Sequence, residues 1–157
     1  MSGATRLFEP PPRSIRLFTV LFWAATIISL MGDFFHWEET MAIMAEDLAG
    51  LEFDKRITGG IIIGLYAFVY GLTILLWFFA AERRGNIARW IYAIFMGFAC
   101  TFSAVDLITQ TSEYTTSEIG FHSITTLITS ASIICLFLPD ARQWFAGKVQ
   151  IDTSTFE

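Results

Sequence analysis

Two pairs of side chains in this sequence are spaced so that one helix face could present both members to a common ligand. Asp33 and His36 are three apart, and Glu118 and His122 are four apart. With Asp106 they make a set of carboxylates and imidazoles of the kind that holds a metal ion between facing helices of a bundle. The chain has only 2 histidines, His36 and His122, and their similar depth also opens a bis-imidazole haem b reading. A plainer account competes with both: these five residues are polar helix ends that hydrogen-bond or simply meet water. No cofactor is favoured over that account, and no catalytic residue is assigned. Cysteine-ligated zinc, c-type haem and iron–sulfur centres lose their support, because Cys100 and Cys135 form no CxxC or CxxCH spacing. Their expected depths in the membrane also differ by roughly 15 Å, beyond disulfide reach.

The candidate site residues belong to longer polar rows. Thr26, Ser29, Asp33 and His36 follow the i, i+3, i+7, i+10 pattern of one helix face, as do His122, Thr125, Thr129 and Ser132, and Ser103, Asp106 and Gln110 add a third row. Polar groups inside a membrane bundle are costly and face its interior, so convergence of these rows would make a polar pocket in the outer half.

The elements that must position these rows are four apolar runs, 17–37, 59–81, 87–107 and 119–138. Each is near the roughly 20 residues that a hydrocarbon core of about 30 Å requires. With 54% hydrophobic and 16% charged residues, the chain is more apolar than soluble domains, so lipid is its expected solvent. Backbone groups in lipid must be satisfied internally, and the runs are too evenly apolar for barrel strands, so the fold class is all-α: an integral membrane four-helix bundle. The expected organisation is a Pro-rich cytoplasmic lead-in over 1–16, a transmembrane domain over 17–138 and a cytoplasmic tail over 139–157. The first span reads as an uncleaved signal-anchor, since its apolar run exceeds that of a signal peptide. Met41, Met44, Leu48 and Leu51 recur at helical spacing, which predicts a short amphipathic helix over 38–50 in the first outer loop. Trp37, Trp77, Trp90 and Trp144 fall near span edges, where indoles serve as interfacial anchors.

Charge sets the orientation. Arg6, Arg13, Arg16, Arg83, Arg84, Arg89, Arg142 and Lys148 fall on the side of the termini and the second loop, against only Lys55 and Arg56 on the other. Both termini are therefore expected in the cytoplasm. The outer side carries ten carboxylates, Asp33, Glu38, Glu39, Glu46, Asp47, Glu52, Asp54, Asp106, Glu113 and Glu118; a solvated acidic loop is the first reading of them, a face that attracts cations or a basic partner the second. Small residues form two further rows, Gly60, Gly64, Ala67 and Gly71 on the second span and Ala93, Gly97, Cys100 and Ala104 on the third. In lipid such rows permit close backbone approach, and contacts inside the bundle are their first expected use, a partner protein the second.

Two phrases carry a resemblance: Gly85-Asn86-Ile87-Ala88-Arg89-Trp90 and Leu138-Pro139-Asp140-Ala141-Arg142-Gln143-Trp144-Phe145. They resemble recurring phrases of uncharacterised four-span bacterial inner-membrane proteins, which implies a bacterial cytoplasmic membrane. In length, span count and termini-in topology the chain is also similar to the small membrane subunit of tripartite ATP-independent periplasmic transporters. Trp37-Glu38-Glu39 is similar to that family's acidic element after the first span, while its Gly-His-Ile element near the second span is missing. The leading expectation is a non-enzymatic accessory or scaffold subunit of a larger membrane assembly, bioenergetic or transport-related. Its partners would be the lipid bilayer and other membrane subunits, with no nucleic acid. The alternatives are a metal- or haem-binding protein with a site at the outer face, and a small transporter subunit. Proton relay is disfavoured, because the inner halves of the spans lack carboxylates and histidines.

Overall fold

The computed structural model of the chain describes residues 10–38, 42, 55–109 and 115–146, excepting the side chains at 55, 56 and 58. Among them are four long helices, α1 Arg13–Phe35, α2 Lys55–Ala81, α3 Asn86–Thr109 and α4 Thr116–Leu136, and a short one, α5 Pro139–Ala146. No strand occurs among the described residues. Each long helix is long and apolar enough to cross a membrane, so this all-helical chain has the make-up of a multi-pass membrane protein. Most of the amphipathic helix expected over 38–50 lies outside the described residues, as do Gln110, Glu39 and the ends of the chain.

The helix ends are set by local chemistry. Pro12 stands at the N-cap of α1, so the helix starts at Arg13, inside the stretch expected to be an extended lead-in. Proline fixes its own φ near the helical value and is tolerated beside a helix start, which is why the three prolines end where the helix begins. At the end of α2, the Gly85 N–H donates to Phe79 O at 2.9 Å while Arg84 takes the left-handed conformation at φ 53°. This is a Schellman-type termination, with a non-glycine residue in the left-handed position. Gly85 is required by close approach, since a Cβ there would lie 2.8 Å from Phe79 O. The Arg84 guanidinium sits 3.6 Å above the Trp144 ring, an attraction that helps hold the turn. Thr115 and Glu118 form a reciprocal capping box at the start of α4.

The helices pack in the order α2, α3, α4, α1. Contact is most extensive between α1 and α4, followed by α3 with α4 and α2 with α3, while α1 and α2 touch at few points and leave a seam. The long connection over 36–54 imposes no close pairing on them, unlike the turn after Ala81, which makes α2 and α3 antiparallel neighbours.

The core is gathered at one end, here termed basal, which carries the start of α1, the α2–α3 turn and α5. Ile15, Phe18 and Phe22 of α1 pack there with Ala80, Tyr92, Leu136 and Ala141. Arg89 is also buried, with its guanidinium 4.7 Å from the Phe145 ring centroid and 5.0 Å from that of Phe137. Asp140 ties α5 to α1: its Oδ2 accepts the Ser14 N–H at 3.1 Å, capping a helix whose own N-cap offers no side chain. Burial alone would raise the Asp140 carboxyl, but the hydrogen bonds from Ser14 and Ala141 outweigh it and hold the group below the usual carboxylate range. Arg142 Nε donates to Phe137 O at 3.1 Å, covering a carbonyl at the end of α4.

The small-residue rows do not behave alike. Ala93, Gly97, Cys100 and Ala104 are half-buried, and Cys100 Sγ lies 3.9 Å from Thr126 O of α4. Gly60, Gly64, Ala67 and Gly71 are instead exposed; a Cβ built at Gly60, Gly64 or Gly71 meets nothing within 4 Å, as is also true at Gly97 of α3, so exposure is what separates the two rows. The expectation that this α2 row packs inside the bundle is therefore corrected. α2 turns the side bearing Leu76 and Ala80 to the core, and its glycine row faces outward.

Candidate functional site

The polar rows on α1 and α4 turn inward. Thr26 and Ser29 of α1 and Thr125 and Thr129 of α4 line a cavity of about 310 Å³ between the helices. Its remaining walls come from α2 and α3, and the α1–α2 seam borders it. Rings dominate these walls, with Phe22, Tyr66, Tyr70, Tyr92 and Phe95 all taking part. On the basal side the cavity is closed by Tyr92, whose hydroxyl lies 3.2 Å from Ser132 Oγ. Ser132 donates in turn to Thr129 O at 2.7 Å.

Asp33 stands at the other end, and its partner was not foreseen. Tyr70 of α2 donates its phenolic proton to Asp33 Oδ2 at 2.5 Å, and Tyr70 Oη also lies 3.0 Å from Ser29 Oγ. A phenol has one proton, so while it serves Asp33, the Ser29 hydroxyl is the group able to donate to Tyr70. The result is a three-member chain running from the cavity wall to a carboxylate, and it is a principal link across the loosely joined α1–α2 seam. A signal was present in the sequence: Tyr66 and Tyr70 lie four apart in an otherwise apolar run.

The other expected site residues are spread around this end. His36 Nδ1 lies 3.0 Å from Gly32 O, and the ring meets Phe121 edge-on. Asp33 is within electrostatic reach of both His36 and His122, although the His122 side chain is exposed. Glu118 is engaged by its own helix end, where Oε2 accepts the Thr115 N–H and hydroxyl, each at 2.7 Å. Asp106 is half-buried on α3. Among the described residues, no three His, Cys, Asp or Glu side chains form a group that could hold a metal ion. The five residues share one end of the bundle without forming a common donor set.

The tryptophans take separate places. Trp77 turns inward, stacking on Phe22 with centroids 5.6 Å apart, and its Nε1–H donates to Thr19 Oγ1 at 3.3 Å. Trp144 lies under Arg84, Trp90 is exposed against Phe137, and Trp37 meets Tyr66 edge-on. The chain matches no family model, and comparison with curated proteins and with solved structures finds no match.

Proposed function

We propose that this chain is a non-enzymatic accessory or scaffold subunit of a larger assembly in the cytoplasmic membrane, with both termini in the cytoplasm. The observation that carries the reading is the outward row Gly60, Gly64, Ala67 and Gly71, which leaves a shallow channel along α2 with open space above its glycines. Lipid tails are as apolar as leucine, so membrane helices associate through backbone approach and van der Waals contact, which such a channel supplies. Phe68 and Ile61 stand exposed on the same helix and offer flanking side chains that a docked helix would pack against. The orientation is argued from the cations at the basal end, where Arg13, Arg16, Arg83, Arg84, Arg89 and Arg142 collect. For the metal-binding alternative, no group of three or more His, Cys, Asp or Glu side chains gathers among the described residues.

Purification in mild detergent should recover partner membrane chains in fixed stoichiometry. Gly64→Leu should reduce that recovery at least tenfold while leaving the melting temperature of the isolated chain unchanged. A wild-type preparation that is a clean monomer with no partner chain overturns the proposal.

A further inference from the structure

We propose that the cavity between the four long helices is a binding site for a membrane-dissolved quinone, a planar ring that carries carbonyl oxygens and an apolar tail. The route of entry is the first argument. The site lies within the apolar part of the bundle and borders the seam where α1 and α2 touch least, so its occupant arrives from the bilayer with a tail that can remain there.

Shape is the second. At about 310 Å³ the cavity stands at the lower end of the about 300–1,000 Å³ range of small-molecule sites, which suits a ring headgroup rather than a whole lipid. Phe22, Tyr66, Tyr92 and Phe95 present rings to it, and aromatic faces and edges favour a flat partner over a branched chain.

Hydrogen-bond accounting is the third. Two lining hydroxyls are spent within their own helices, Thr26 on Phe22 O at 2.8 Å and Thr73 on Val69 O at 2.7 Å. Ser132 donates to Thr129 O, so the Tyr92 proton is the one directed to Ser132 Oγ. The hydroxyls of Thr125 and Thr129 have no partner among the described residues, and Thr129 is only 4% exposed. Both residues line the cavity, so each hydroxyl is placed to donate to an occupant, and a predominantly apolar cavity is poor at retaining ordered water. A ring carbonyl supplies the acceptor without adding a donor that the walls could not satisfy. Hydrocarbon tails fill the space but leave both hydroxyls unpaired.

The test uses the full chain in phosphatidylcholine nanodiscs, titrated with a benzoquinone bearing one isoprenoid unit and followed by tryptophan fluorescence. Trp77 stacks on Phe22 in the cavity wall, so occupancy should give saturable quenching. Thr125→Val combined with Thr129→Val should raise the half-saturating concentration about tenfold, as loss of hydrogen bonding predicts. Ala25→Phe, at a buried lining position of α1, should remove the saturable component while the helical circular dichroism is retained. An alkylbenzene with the same tail should compete at least tenfold more weakly. Quenching that only rises linearly, an unchanged midpoint in the double valine variant, or equal competition by the alkylbenzene each overturns the proposal. The assay contains no partner chain, so its outcome is independent of the subunit reading.

Discussion

Tyr70 decides the state of the only carboxylate on α1. Its proton is the hydrogen bond that Asp33 receives among the described residues, so Tyr70→Phe leaves a half-buried carboxylate without that donor. The expected loss is about 1–3 kcal/mol, read as a lower thermal unfolding midpoint in detergent. Asp33→Asn added to Tyr70→Phe should cost less than the sum of the two single changes, because both remove the same interaction. Asp140 makes a second prediction at this scale. Its carboxyl lies below the ordinary value in the folded chain, so its contribution is complete above that ordinary value and is lost as pH falls through the folded one. Asp140→Ala should cost about 0.5–2 kcal/mol at neutral pH, read as a lower melting temperature, and the difference from wild type should shrink as pH falls through the folded-state value of the carboxyl. Asp33 was legible in the sequence because a charge in an apolar run stands out. Tyr70 was legible only as half of a tyrosine pair, because nothing local ties it to a partner 37 positions away.

At the scale of elements, the stops and starts carry most of the specificity. Gly85→Ala drives a methyl to 2.8 Å from Phe79 O and must displace the α2–α3 turn. A loss of about 1–3 kcal/mol is expected, measurable as a lower unfolding midpoint in the same detergent. The phrase from Leu138 to Phe145 was legible only in part. Pro139 as a helix stop was visible locally, and so was the interfacial character of the segment beyond it. That Asp140 would cap α1 was not visible, since Ser14 is 126 positions away and no periodicity links the two. The spans themselves were legible within a few residues, because length and hydropathy suffice for them. α1 begins earlier than its apolar run because Pro12, Arg13 and Arg16 belong to the helix start rather than to lipid.

For the whole molecule, composition revealed that small residues seek close contact but not with whom. The α3 row lies half-buried on the bundle, with Cys100 against α4, whereas the α2 row faces away from it, because α2 turns another side to the core. The uneven distribution of the core gives a further prediction. Hydrogen exchange in detergent should be slowest around Phe18, Tyr92 and Leu136 and fastest around Phe34, Ile108 and His122, since local stability tracks buried contact. A uniform pattern along the helices would contradict it. The seam has a mechanical meaning as well. Four helices clamped at one end and parted along one side form a pair of tongs, and in a bilayer lateral pressure from the acyl chains would act on the arms. Spin labels at Leu30 and Leu65, both exposed, should lie farther apart in thin, fluid bilayers than in thick, ordered ones. Bilayer thickness would then set the width of the gap, and with it access to the interior of the protein.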